Sequence, residues 1–365
     1  MWRAQRCTIG SITTLSSSQQ TQSRPGRVHV LGLGSIGTFA AHSVSEIPNG
    51  PSITLLAHRR SLLDSYRKNG SRILLQTMEG EHISSTGYSL ETLHDDGLWY
   101  RAASAESLEI KPTPQRVAAL RPLQQRLTSQ SNILFLQNGA GMIEKVNAHL
   151  FRDPQTRPNY LIGVISHGVT LNCPFNITHT GFAATAIGCV PRENAIGVDS
   201  SSSSSSTIPS NYLLQTLPLS PRLSATSYSY TDVLQIQLEK LAVNAFCNPL
   251  CALHDAKNGF LFTMPEARRE ILTEISKVVL ALPELQHVPG VAERFSVDRL
   301  EDTVNGIIQT TFHATCSMVC DVRAGRETEV KFINGWWLRM GRAVGIQTPV
   351  NDRLVEQILE RTGKK

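Results

Sequence analysis

The chain has 365 residues, 41% of them hydrophobic and 18% charged, enough for a large core and for two domains. No run of about 18 or more apolar residues occurs, so the sequence offers no membrane-spanning helix. The formal net charge of +5 falls to about +1 for residues 28 to 365 once Arg3, Arg6, Arg24 and Arg27 are set aside, and so balanced a chain gives nucleic-acid binding no support.

Residues 1 to 27 hold those four arginines, many Ser and Thr, and no Asp or Glu. This is the composition of a mitochondrial transit peptide, and residues 1–26 fit equally a disordered tail left in place on a cytoplasmic protein. From Arg27 to about residue 190, short β-rich runs at 28–31, 53–56, 133–136 and 161–165 alternate with helical patterns and read as strands buried on both faces. That alternation predicts an α/β domain with a parallel sheet.

The first run leads directly into Gly32, Leu33, Gly34, Ser35, Ile36 and Gly37, and a helical stretch follows. A G-x-G-x-x-G loop between strand and helix is the dinucleotide-binding arrangement of a Rossmann-like domain. Gly32 permits the tight turn, Gly34 lets a pyrophosphate approach the backbone, and Gly37 lets helix and strand pack closely. About 20 residues further on, where NAD-selective sites place a carboxylate, the chain reads Ala57-His58-Arg59-Arg60. Guanidiniums in place of a carboxylate suit a 2′-phosphate and hence NADPH, with Arg59 the better candidate. The run at 133–136 ends in Gln137-Asn138-Gly139, which places Asn138 at a strand's carboxyl end, where it could bond the nicotinamide ribose or a substrate.

A serine run near 199–210 is a low-complexity surface insertion. The NADP-binding domain is expected over 27–222 and an all-α substrate and catalytic domain over 223–365, with helices at 231–246, 265–282, 314–323, 330–344 and 350–361. Pro249 is expected to kink or restart the first of these just after Asn248.

Lys240, Asn244 and Asn248 share one face of that helix, whose other sides are apolar. A buried ammonium kept there needs partners or a task. Seven cysteines, an odd number with no secretory segment ahead of them, fit reduced thiols in an intracellular compartment. Cys247/Cys251 and Cys316/Cys320 could be drawn as a zinc site, but small apolar packing suits their spacing better, and no metal is expected.

Taken together, the Gly32 to Gly37 loop, Asn138-Gly139, Lys240-Leu-Ala-Val-Asn244 through Asn248-Pro249, and Ser317 through Glu329 resemble the ketopantoate reductase family, over about residues 27 to 361. Ile333-Asn-Gly335 and Gly345 through Pro349-Val-Asn351 match the family's pattern nearly residue for residue. The resemblance implies reduction of ketopantoate (2-dehydropantoate) by NADPH to (R)-pantoate, on the way to pantothenate and coenzyme A. It implies Lys240 as general acid, Asn244, Asn248 and Ser317 as substrate ligands, and Asn138 between nicotinamide and substrate. Glu329 is implied to help bind substrate and position the catalytic groups, and is counted with the cofactor contacts, as is Lys111. Around Lys111 the family's hydrophobic strand is replaced by Ala-Glu-Ser-Leu-Glu-Ile110-Lys111-Pro, and Ala183 stands where a second glycine is common.

The chemistry asks for such groups independently. Hydride arriving at a ketone carbon builds an alkoxide, and a positioned acid that protonates it contributes about 10²–10⁴ in rate. The competing expectations are a reductase of another branched 2-oxo acid or ketone, and a non-catalytic NADPH-binding regulator. A small-molecule substrate, no membrane insertion, and a monomer or homodimer complete the expectations.

Overall fold

The computed structural model describes residues 26–94, 99–101, 120–192 and 211–363. Lys111 and the serine-rich insertion lie outside the described residues, as do residues 1–25.

The chain opens with β1 (Arg27–Leu31), α1 (Ser35–Ser45), β2 (Ser52–Ala57) and α2 (Arg60–Lys68). Then come β3 (Ile73–Gln76), β4 (His82–Ser85), β5 (Ser89–Leu93), β6 (Trp99–Arg101) and β7 (Asn132–Phe135). α3 (Met142–His149), β8 (Asn159–Ile165), β9 (Gly168–Cys173), β10 (Asn176–Gly181) and β11 (Thr185–Cys189) follow, and α4 (Tyr212–Thr216) and β12 (Ala225–Tyr228) complete this half.

The strands form three ladders, β1-β2-β5-β6, β12-β11-β8-β7 and β4-β3-β10-β9. β1, β2 and β5 run parallel, as do β7 and β8 and β11 and β12, while β6 is antiparallel to β5 and β11 to β8. The parallel sheet expected from sequence is therefore mixed. Continuous burial holds for β8 beyond its first residue and for most of β2, but β1 and β7 are only partly buried. The β4-β3-β10-β9 sheet was not expected. It packs on α1, whose residues from Thr38 to Val44 are all buried, and Phe39 meets the His167 and His179 rings at about 5 Å. α1 is thus held between two layers, which fixes the direction of its N-terminus.

The second half is helical: α5 (Tyr230–His254), α6 (Pro265–Ala281), α7 (Val291–Arg294), α8 (Val297–Thr310), α9 (Ser317–Arg323), α10 (Asn334–Ala343) and α11 (Pro349–Arg361). α5 begins at Ser229, whose hydroxyl accepts the Asp232 N–H, an N-cap that fixes the start of the helix. Its first turns lie on the sheet, Val233 packing with Ile162, Val164 and Ala186. Beyond the sheet edge it becomes the central helix of the second core, with Leu241, Phe246, Leu250 and Trp337 in one cluster.

The restart expected at Pro249 does not occur, since α5 runs on to His254. Proline cannot donate to the carbonyl four residues back, and that carbonyl, Ala245 O, accepts instead from Asn334 Nδ2 at 2.8 Å. The same nitrogen reaches Asn351 Oδ1 at 3.0 Å, and Asn351 Nδ2 donates to Glu274 Oε2 at 2.8 Å. All three side chains are buried, so the 333–335 and 349–351 motifs serve to carry α5 past its proline. The single helix expected over 330–344 is also broken: Ile333 (φ −100°, ψ −90°) separates a 3-10 turn, Val330–Phe332, from α10.

Candidate active site in the interdomain cleft

Leu31 pairs with Leu56, so the glycine loop after β1 and residues 58–60 after β2 emerge side by side at the carboxyl edge of the sheet. Gly32 has φ +91°, a conformation glycine adopts without penalty. A Cβ on Gly37 would collide with the Gly32 carbonyl oxygen, whereas one on Gly34 would meet nothing within 4 Å. The first glycine makes the turn, the third allows strand and helix to touch, and the second faces open space. Leu33 is buried and anchors the loop, while Ser35 and Ile36 open α1. No side chain caps α1 at Gly34 and its first turn holds no acid, so its N–H groups and positive dipole end are left for an anion.

Arg59 is exposed and N-caps α2. Burial, and secondarily the Arg59 charge, lowers the pKa of His58. The loop and the helix end suit the pyrophosphate of a dinucleotide.

Across the sheet edge, α5 presents Gln237, Lys240 and Asn244 to a cleft that Asn138, Gly139 and Ile165 also line. Lys240 Nζ donates to Ile165 O, and Gln237 Nε2 donates to Gly139 O at 3.4 Å. Burial drives the Lys240 pKa down to about 8, and the Glu329 carboxylate opposes the fall. The result is an amine still largely protonated at neutral pH yet near enough to titrating that proton transfer is easy.

The Asn138-Gly139 turn is gripped from the helical half. Gly139 has φ +89°, and a Cβ there would lie 2.7 Å from both Cβ and O of Phe332. Ala140 N–H donates to Phe332 O at 2.9 Å, and Phe332 N–H to Glu329 O at 2.8 Å. The 3-10 turn that begins after Glu329 thus links Asn138 to the cleft wall.

Lys240, Asn138 and Asn244 share the cleft, and Glu329 acts on Lys240 through its charge. Asn248 is buried one turn further along α5. Ser317, exposed, is the first residue of α9, and Cys316 just before it donates its Sγ–H to Asn248 O at 3.8 Å, so Ser317 stands beside Asn248 rather than in the cleft lining. Cys247 and Cys251 belong to the apolar core of the helical half. Ala183 donates its backbone N–H to His167 Nδ1 at 3.2 Å and needs no left-handed φ, so a glycine is not required there. Gln237, Phe332 and the Ile165 carbonyl were not singled out from sequence. For Gln237 the signal was present, since it precedes Lys240 by three residues on the same helical face.

Known proteins match this chain in sequence and in fold. The family model described as ketopantoate reductase PanE/ApbA matches residues 28–192, and its C-terminal companion matches residues 232–361. The 2-dehydropantoate 2-reductase of Vibrio cholerae is 31% identical over 339 residues, covering 92% of this chain and 98% of that one. The chain belongs to the ketopantoate reductase family. It is an oxidoreductase, and a nicotinamide dinucleotide is the family's cofactor.

A Schizosaccharomyces pombe relative named "Probable 2-dehydropantoate 2-reductase" is 27% identical over 350 residues, covering 92% of this chain and 96% of its own. The ketoisovalerate reductase BEA2 of Gibberella fujikuroi is 26% identical over 353 residues, covering 85% and 77%. In fold, the chain resembles 2-dehydropantoate 2-reductase from Methylococcus capsulatus (TM-score 0.64, 20% identity, 93% and 98% covered). It also resembles D-mandelate dehydrogenase solved with NADH and anilino(oxo)acetate (TM-score 0.65, 16% identity, 92% and 98% covered).

Proposed function

We propose that this ketopantoate reductase family member reduces ketopantoate to (R)-pantoate with NADPH, the step that leads toward pantothenate and coenzyme A. The observation that carries the reading is a half-buried lysine whose pKa is lowered to about 8 by desolvation and held up by Glu329, in a cleft it shares with Asn138 and Asn244. NADPH, when bound, supplies the hydride to the ketone carbon. Lys240 Nζ gives its proton to the oxygen that becomes the alcohol, so the carbonyl π bond is replaced by one C–H and one O–H bond. Asn138, Asn244, Asn248 and Ser317 offer neutral donors and acceptors for the substrate's carboxylate and hydroxyl, and Glu329 keeps the amine protonated between turnovers.

Preference for NADPH rests on Arg59 and on the missing carboxylate after β2, with Lys111 a further cofactor contact. The 27–222 and 223–365 division is refined by β12, residues 225–228, which belongs to the sheet. The acid-free, arginine-bearing residues 1–26 support mitochondrial import, tested by fusing them to a fluorescent reporter. No helix among the described residues is long and apolar enough to cross a membrane.

The deciding assay follows NADPH consumption by the purified protein with ketopantoate and, in parallel, with 2-ketoisovalerate. Saturable turnover of ketopantoate with little of 2-ketoisovalerate is expected. The reverse preference would favour the second reading, which the Gibberella fujikuroi relative supports. Lys240→Ala is expected to lower kcat by about 10² or more with the NADPH dissociation constant little changed.

A further inference from the structure

Two side chains of α5 reach across the cleft to the sheet. Gln237 donates to the carbonyl of Gly139, just past β7, and Lys240 to the carbonyl of Ile165, the last residue of β8. β7 and β8 are parallel neighbours, Phe135 facing Ile162, and adjacent strands lie about 4.8 Å apart. Residues three apart on a helix present their Cβ atoms about 5–6 Å apart on one face. The two spacings are alike, and the helix is seated by one donor on the end of β8 and one on the turn that follows β7.

These two seats differ in what the reaction asks of them. The ammonium of Lys240 must turn an N–H toward the substrate oxygen, and whatever it gives to Ile165 O is then weakened. The carboxamide of Gln237 has no proton to transfer and can stay. Its acceptor belongs to the residue after Asn138, so one bond fixes the helix that carries the acid relative to the turn that carries a substrate and cofactor ligand. Displacement of a reacting group by about 1 Å costs on the order of 10² in rate.

We propose that Gln237 is a positioning residue for the reduction: its amide, held on the Gly139 carbonyl, keeps α5 in register on the strand ends while Lys240 shifts from the Ile165 carbonyl to the substrate. The inference rests on Lys240 being the proton donor. The charged group set against Lys240 is Glu329; the strand ends bring backbone carbonyls, and the turn after β7 brings the Asn138 amide.

The experiment uses the full chain and two variants of similar volume. Gln237→Leu removes the bond, and kcat should fall about tenfold, with the NADPH dissociation constant within about twofold and the melting temperature within a few degrees of the parent's. Gln237→Glu removes the donor and sets a carboxylate one turn from Lys240, so the Lys240 titration should rise by about one unit. That titration is read by NMR on the lysine ε-carbon, assigned through its loss in Lys240→Arg. A residue that merely packs would leave kcat in Gln237→Leu unchanged, while the Gln237→Glu titration checks that position 237 faces Lys240. An active parent with Gln237→Leu of equal kcat, or an unmoved titration in Gln237→Glu, would overturn the inference alone. A parent that turns over no 2-oxo acid would overturn the functional reading and this inference with it.

Discussion

Asn334→Ala is expected to destabilise the protein by about 2–4 kcal/mol through a carbonyl 89 residues away. Asn334 Nδ2 is the donor to Ala245 O, which Pro249 leaves without its helical partner, and to Asn351 Oδ1. Truncation orphans both buried acceptors, each costing about 1–3 kcal/mol, and is offset in part by removing Asn334 Oδ1, itself buried without a partner. Urea titration followed by circular dichroism should show a lower midpoint with an unchanged slope, because the surface exposed on unfolding is the same. Asn334→Asp should cost more at neutral pH, since a carboxylate cannot donate and lies in the network that holds Glu274. Its folded pKa is then raised, so its deficit against the parent shrinks as pH falls and the protonated acid regains one donor. Because Asn244 and Asn248 flank the repaired turn, kcat/KM should fall further than NADPH affinity. An Asn334→Ala protein with the parent's midpoint would mean that the continuity of α5 through Pro249 does not depend on this amide.

Lys240 must be protonated to act as acid and its pKa is about 8, so kcat/KM should decline above that pH; Glu329→Gln removes the attraction that holds the proton and should move the decline to lower pH in a pH–rate profile. Arg59→Ala should raise the NADPH dissociation constant about tenfold or more, most clearly at low salt, and narrow the preference over NADH measured by fluorescence titration. Gly139→Ala combines a left-handed φ with a Cβ 2.7 Å from Phe332, and should lower both the melting temperature, by several degrees, and kcat/KM.

The cofactor loop was legible because Gly32 and Gly37 answer local steric demands, the first through its positive φ and the second through its contact with the Gly32 carbonyl. Lys240 and Asn244 were legible through the helical period, which needs no knowledge of the fold. α8 also had its signal, Leu300, Val304 and Ile308 behind the Ser296 cap, though no helix was assigned there. The β4-β3-β10-β9 sheet left little trace. Its strands are short, and β3 pairs with β10 across a hundred residues, which no local pattern reveals. The passage of α5 through Pro249 was hidden for the same reason, its rescue coming from α10. Ser317 and Glu329 carry no periodic signature and were visible only through family resemblance.

The join at Gly139 and Phe332 sets how the enzyme can breathe. Two backbones meet there without an intervening side chain, leaving no soft layer to absorb a sliding motion. Parting the turn after β7 from the 330–332 turn has to break the Ala140 to Phe332 bond. Hydrogen–deuterium exchange at the Ala140 amide therefore reads how often that contact opens.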